Sequence, residues 1–192
     1  EFIQIINANN ELLLKLINDI LDLSKIEAGS VELKYENFDL AVYFNELAAS
    51  MHRRVVNPQV RLVPVNPYET CTVRLDKNRL AQILTNFVTN AIKYTSKGMI
   101  EMGYEKIDEN IRLYVRDTGI GIPEDKKDKV FHRFEKLDEF AQGTGLGLSI
   151  CKAIVEACRG EIGFESEFDK GSLFWAVLPC QFESVNSEPT SS

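Results

Sequence analysis

Four groups of residues have the types and spacing to do chemistry. Asn86, Asn90 and Lys93 stand at i, i+4 and i+7, so on a helix they form one narrow polar stripe. The stripe borders the apolar set Leu80, Ile83, Leu84, Phe87 and Ala91, which places it at the edge of a core. An Asn offers a neutral amide oxygen to a hard cation such as Mg2+, and a Lys meets phosphate as a point charge. Boundary residues that merely hydrogen-bond nearby backbone have the same pattern. Asp117 is sharper, because it continues the odd-numbered row Ile111, Leu113, Val115 and so points toward the core. A carboxylate there costs several kcal/mol unless it is paired or hydrogen-bonded. A ligand that donates, such as an adenine amino group, would satisfy it; a plain turn aspartate ahead of Gly119 is the alternative. Gly119 and Gly121 let backbone approach a flat ligand closely. Finally, Gly143, Gly145 and Gly147 open a helix whose free N–H groups suit phosphate, although a flexible hinge has similar composition. No Lys-Ser or Lys-Thr follows at P-loop spacing, and the Rossmann glycine spacing is absent.

These residues need elements to hold them. Apolar positions Ile6, Leu13, Leu16, Ile17, Ile20, Leu23 and Ile26 recur at helical spacing, so residues 2–28 read as one long helix ended by Gly29. That helix has no obvious partner elsewhere in the chain; its stripe either pairs with a second copy or folds back onto its own domain. A strand is expected at Val31–Tyr35. Asp39 caps a second helix that runs to about His52, with Phe38 and Tyr43 as a hydrophobic staple. Short strands are expected near Val60–Val65 and Cys71–Leu75, and Asp76 caps the helix 77–94. Strict alternation marks strands around Ile100–Glu105 and Ile111–Arg116. A short charged helix and a loop lead to the last helix, which ends near Cys158. Strands near Glu161–Glu165 and Leu173–Leu178 follow, and the polar residues 183–192 read as a disordered tail. The order predicts an α+β two-layer sandwich, a mixed β-sheet with helices on one face.

Composition narrows the function. The chain has 192 residues, 44% hydrophobic and 27% charged, and a net charge of −7. That charge argues against a nucleic-acid binder, which displays clustered base, yet allows a small anionic ligand beside local cations. No apolar run is long enough to span a membrane, and no signal peptide opens the chain. Because it starts at Glu1 within a helix, it reads as part of something longer. Cys71, Cys151, Cys158 and Cys180 form no CxxC pair, and neither His52 nor His132 lies at zinc-ligand spacing from them. They read as buried free thiols in a reducing, cytoplasmic setting.

Taken in order, N-x-x-x-N-A-I-K-Y-T at 86–95, D-T-G-I-G-I at 117–122, V-F-H-R-F-E-K-L at 130–137 and G-T-G-L-G-L-S-I at 143–150 strongly resemble the N, G1, F and G2 boxes of the catalytic ATP-binding domain of sensor histidine kinases. D-I-L-D-L-S-K-I-E-A-G at 19–29 also resembles the second helix of that family's dimerisation and histidine-transfer domain. The resemblance covers about residues 10–180 and implies a Bergerat-type ATP fold. Its implied division is a partial dimerisation helix at 1–29, the catalytic domain at 30–182 and the tail. It also implies binding of ATP and Mg2+, with Asn90 holding the metal, Asn86 one turn away and Lys93 on phosphate. Tyr94 would pack along the adenine, Asp117 would accept from its amine, and Gly119, Gly121 and Ile122 would line the base pocket. Lys136 and Arg133 would reach the phosphates. Gly143, Thr144, Gly145, Leu146, Gly147 and Leu148 would close over the triphosphate.

Neither His52 nor His132 stands in the family's H-E/D-x-[RK]-x-P acceptor box, so the phosphoacceptor helix is expected on a segment outside this chain. The implied partners are that histidine-bearing helix, a response-regulator receiver domain and a second copy through the N-terminal helix, with no nucleic acid and no membrane contact. The implied parent is a membrane-anchored, bacterial two-component sensor. Chaperone, mismatch-repair and topoisomerase ATPases of the same fold carry a Glu where this chain has Asn86. Since Asn is a poor general base, the resemblance implies phosphoryl transfer, not rapid hydrolysis. A nucleotide-sensing module without transfer activity is the other class compatible with the boxes.

Overall fold

The computed structural model describes residues 2–29, 32–135 and 144–182. Its elements follow from local chemistry. The aspartate at position 39 accepts from the amides of Ala41 and Val42 and so starts helix α2 (Leu40–His52). Phe38 and Tyr43 meet edge-on across that cap at 5.6 Å between ring centroids, as a staple should. Asp76 does the same for α3 (Lys77–Tyr94), accepting from Asn78 and Arg79. Its other oxygen takes the Lys34 amide at 2.8 Å, which ties the N-terminal segment to the helix start.

Two sheets form. Strands β2 (Val60–Val65), β4 (Gly98–Ile107), β5 (Asn110–Asp117), β7 (Gly171–Pro179) and β6 (Glu161–Glu167) stand side by side in that order. β2 runs parallel to β4 and the remaining pairs are antiparallel, so the sheet is mixed, as the alternation and element order predicted. A second sheet of three strands joins β1 (Glu36–Asp39), β3 (Thr72–Leu75) and β8 (Gln181–Phe182). The sequence reading had one sheet only and placed the first strand at Val31–Tyr35. Residues 32–35 carry no strand, and residue 31 lies outside the described residues. The ladder is set instead by β3, which pairs Glu36 with Leu75 through Asp39 with Thr72. Helices α4 (Glu124–Lys127) and α5 (Gly147–Ala157) complete the domain.

One core lies between the larger sheet and the helices α3 and α5. Leu80, Ile83, Leu84 and Phe87 of α3 and Ile150, Cys151 and Ile154 of α5 are buried against Ile100, Met102, Ile111 and Leu113 of the sheet. On the sheet's other face aromatic rings lie flat over glycines. A Cβ on Gly103 would stand 2.4 Å from the Tyr114 ring, and one on Gly163 2.4 Å from Trp175. Cys71, Cys151 and Cys180 are buried free thiols, whereas Cys158 at the end of α5 is half-buried.

The first helix takes the fold-back alternative. α1 (Phe2–Glu27) packs along α5, with Leu23 buried and Leu16 against the core. The stripe is therefore wider than one interface needs. Leu13, Ile17, Ile20 and Leu21 remain exposed on the other side, while the side chain of Ile26 lies outside the described residues.

Candidate ATP-binding site

Residue by residue, the site assembles where the core's polar boundary meets the ends of the sheet. On the inward face of the sheet the row beyond Val115 is polar. Asp117 lies opposite Ile100 on β4 and Ser172 on β7, with Ser166 of β6 next in line. Asp117 is 7% exposed. Its carboxylate accepts from the Gly119 amide at 2.8 Å and from the Ser172 amide. Burial raises its pKa above the ordinary 3.8, and the two amides pull it back. The hydroxyls of Ser166 and Ser172 share a hydrogen bond of 2.9 Å, and Ser166 also takes the Ile122 amide. That contact pins the turn that follows Asp117.

Two glycines in this turn are required by their surroundings. At Gly121 φ is +65°, and a Cβ would stand 2.0 Å from the Glu167 carbonyl. At Gly119 a Cβ would meet the Tyr94 carbonyl, the Asp117 carboxylate and the Thr95 hydroxyl, all within 3 Å. That hydroxyl is the orphan among the described residues: Thr95 Oγ1 is buried with no hydrogen-bond partner.

The polar stripe of α3 faces the same space. A cleft of about 340 Å³ is bounded by Asn86, Asn90, Lys93 and Tyr94 on one wall and by Asp117, Gly121 and Ile122 on another. Thr144, Gly145, Gly147 and Leu148 form a third. Lys93 Nζ stands 4.8 Å from the centre of the Tyr94 ring, a cation–π contact within the site. Asn86 donates to the Gly147 carbonyl at 3.2 Å and to Cys151 Sγ at 3.5 Å, so its amide links the α3 stripe to the start of α5. Burial pushes the Cys151 thiol up to about 12, and it stays protonated. Gly145 has φ +72° and its carbonyl accepts from Phe134 at 2.9 Å, which ties the glycine-rich loop back to the F-box stretch.

Residues 75–181 match the family described as histidine kinase-, DNA gyrase B- and HSP90-like ATPase. The chain belongs to this ATPase family. It is 37% identical over 206 residues to the hybrid signal transduction histidine kinase L of Dictyostelium discoideum, covering 100% of this chain and 12% of that protein. It is 36% identical over 200 residues to the circadian input-output histidine kinase CikA of Synechococcus elongatus, covering 99% of this chain and 26% of the relative. The solved structure of full-length ShkA in complex with AMPPNP superposes with a TM-score of 0.84 at 29% identity, covering 96% of this chain and 39% of ShkA. The chain thus spans roughly an eighth to a quarter of these two curated relatives. One of them comes from Dictyostelium and the other from a cyanobacterium, so membership of the family does not fix a bacterial source.

Within the family's fold, most of the expected residues converge. Three do not line the cleft. Gly119 stands behind Asp117 and serves it through its amide. Leu146 is fully buried in the core, because it sits at the N-cap of α5 where the loop turns inward. Arg133 is exposed and outside the cleft wall. Lys136 and Gly143 lie outside the described residues. The sequence reading missed Lys126 and Lys129, which line the cleft from α4 and just beyond it, along with Thr89, Ser172 and Phe174. The lysines were legible as an i, i+3 pair in D-K-K-D-K, and Phe174 as the inward row of β7, but nothing local aimed either at a ligand.

Proposed function

We propose that this chain is the ATP-binding kinase portion of a sensor histidine kinase, and that it transfers the ATP γ-phosphoryl group to a histidine on another segment. The observation that carries the reading is Asp117: a nearly buried carboxylate, fixed by two backbone amides, open to a cleft whose floor admits only glycine at the adjoining turn. Such a group accepts a hydrogen bond from a flat donor, and an adenine amine is one. The cleft is also lined by Lys93 of α3 and by Lys126 and Lys129 from α4 and just beyond it, which offset a triphosphate within a net-acidic chain. Thr95 adds an unused hydroxyl beside Asp117. The residues therefore fit ATP.

They also fit Mg2+ as a guest of the nucleotide. Among the described residues no group of three or more His, Cys, Asp or Glu side chains could hold a metal. The Asn90 amide oxygen is the group of this chain that would hold a nucleotide-bound Mg2+. When bound, it neutralises charge on the phosphates. The chain's own part is to orient the nucleotide: Asp117 fixes the base, Tyr94 packs on it, and Lys93 stands at the phosphate end.

Asn86 decides between transfer and hydrolysis. Its amide nitrogen is spent on Gly147 and Cys151, and an amide cannot take a proton from water. The reading assigns residues 1–29 to the dimerisation helix, 30–182 to the catalytic domain and 183–192, outside the described residues, to a tail. It places the acceptor histidine upstream in the parent and makes a receiver domain the next carrier. A second copy of the chain would meet the exposed side of α1. Among the described residues no helix is long and apolar enough to cross a membrane; membrane anchorage of the parent would come from other segments.

Incubation with γ-labelled ATP and a separate peptide bearing a histidine box tests the reading. Acid-labile label should appear on the peptide and not on His52 or His132 of the chain. Free phosphate released with no labelled peptide would favour an ATPase, and binding with neither product would favour a sensing module.

A further inference from the structure

Helix α1 reaches the cleft through two aspartates one turn apart. Asp19 and Asp22 share a face of the helix, the one that Leu16 and Leu23 press onto the domain. Asp19 is 8% exposed, and its Oδ2 accepts from Thr144 Oγ1 at 3.1 Å. Asp22 accepts from Gln82 at 3.0 Å and pairs with Arg79 at 3.4 Å. Thr144 lines the cleft, and Gln82 stands one turn before Asn86 on α3. The helix therefore grips both the glycine-rich loop and the helix that carries the polar stripe.

The Thr144 hydroxyl is used twice. It donates to Asp19, and it accepts from the Leu146 amide at 3.2 Å. A threonine hydroxyl in a glycine-rich loop is a donor that a phosphate takes readily. While Asp19 holds the hydroxyl proton, that donor is not offered to the cleft.

We propose that Asp19 is a positioning residue of the nucleotide loop: acting on Thr144, it withholds the hydroxyl as a phosphate donor, so that docked α1 lowers the affinity of the cleft for polyphosphate. This rests on the ATP reading above. Coupling of this kind is reciprocal; nucleotide that recruits the Thr144 hydroxyl loosens α1 from the domain. Helix α1 thereby senses whether the cleft is filled. A merely structural Asp19 would hold α1 in place and leave the phosphates indifferent.

The test titrates the full chain with ATP, ADP and adenosine by calorimetry, for the parent, Asp19→Ala and Asp19→Asn. Asp19→Ala should tighten ATP and ADP by on the order of ten-fold and leave adenosine unchanged. Asp19→Asn keeps an acceptor oxygen without the charge, and should fall between the two. On the parent alone, saturating ATP should speed hydrogen exchange of α1 amides, since an undocked helix loses its tertiary support. That measurement stands even if a variant fails to fold. Unchanged or weaker ATP binding by a folded Asp19→Ala, a parallel shift for adenosine, or α1 exchange insensitive to ATP would overturn the proposal. A parent that binds neither ATP nor adenosine would instead overturn the ATP reading, and this inference with it.

Discussion

Replacing Asp117 by Asn keeps the shape of the side chain and removes its charge. In the folded protein the carboxylate accepts from the Gly119 amide at 2.8 Å and from the Ser172 amide, leaving acceptor capacity toward the cleft. A hydrogen bond to a charged group contributes ~1.5–3 kcal/mol, and each ~1.4 kcal/mol is a factor of ten. Asp117→Asn should therefore weaken ATP roughly ten- to a hundred-fold. Calorimetry against ATP and against purine riboside triphosphate, which lacks the amine, isolates the contact. The parent should prefer ATP by about that factor, and the variant should not. Acid gives a second handle. Burial raises the Asp117 pKa above 3.8, so as pH falls through the raised value the acceptor is lost and ATP affinity drops. Unliganded stability moves the other way: a carboxyl that binds its proton more tightly when folded destabilises the fold while ionised, and that cost is relieved as pH falls through the folded pKa. Asn at this position abolishes both trends. Equal affinity of the parent for the two nucleotides, or acid trends of the same sign, would refute the reasoning.

Asn90→Ala should remove the Mg2+-dependent part of ATP binding while leaving affinity in chelator nearly unchanged, which titrations with and without the metal will read. Gly121→Ala should destabilise the fold by ~1–3 kcal/mol or more, because it combines φ +65° with a 2.0 Å approach to the Glu167 carbonyl; denaturant unfolding measures it. Leu13→Asp with Ile17→Asp, both on the exposed side of α1, should convert a concentration-dependent dimer to a monomer. Sedimentation of the parent as a monomer at every concentration would remove the dimer from the reading.

Legibility in the sequence tracked how local the determining interaction was. The helix Lys77–Tyr94 was fully readable, since its cap at Asp76 and its apolar period lie within its own residues. The inward aim of Asp117 was readable for the same reason, as alternation along one strand fixes it. Strand β1 was misplaced because its register is dictated by β3, some 35 residues on, and β8 is a two-residue strand with no pattern to show. The docking of α1 was one of two open alternatives. Asp19 meets Thr144 across 125 positions, and an apolar stripe with two usable sides does not say which will face the domain.

The larger sheet also constrains how copies of the chain can meet. Its two borders are β2 and β6. On β2 the ladder toward β4 includes Pro64, opposite Met102, and a proline has no amide with which to recruit a further strand. On β6 the sequence E-I-G-F-E-S-E sets Glu161, Glu165 and Glu167 along the border, where like charges would confront one another in any strand-to-strand stack. Neither border templates growth of the sheet. Pairing of copies through this sheet would therefore meet a proline on one border and a row of carboxylates on the other.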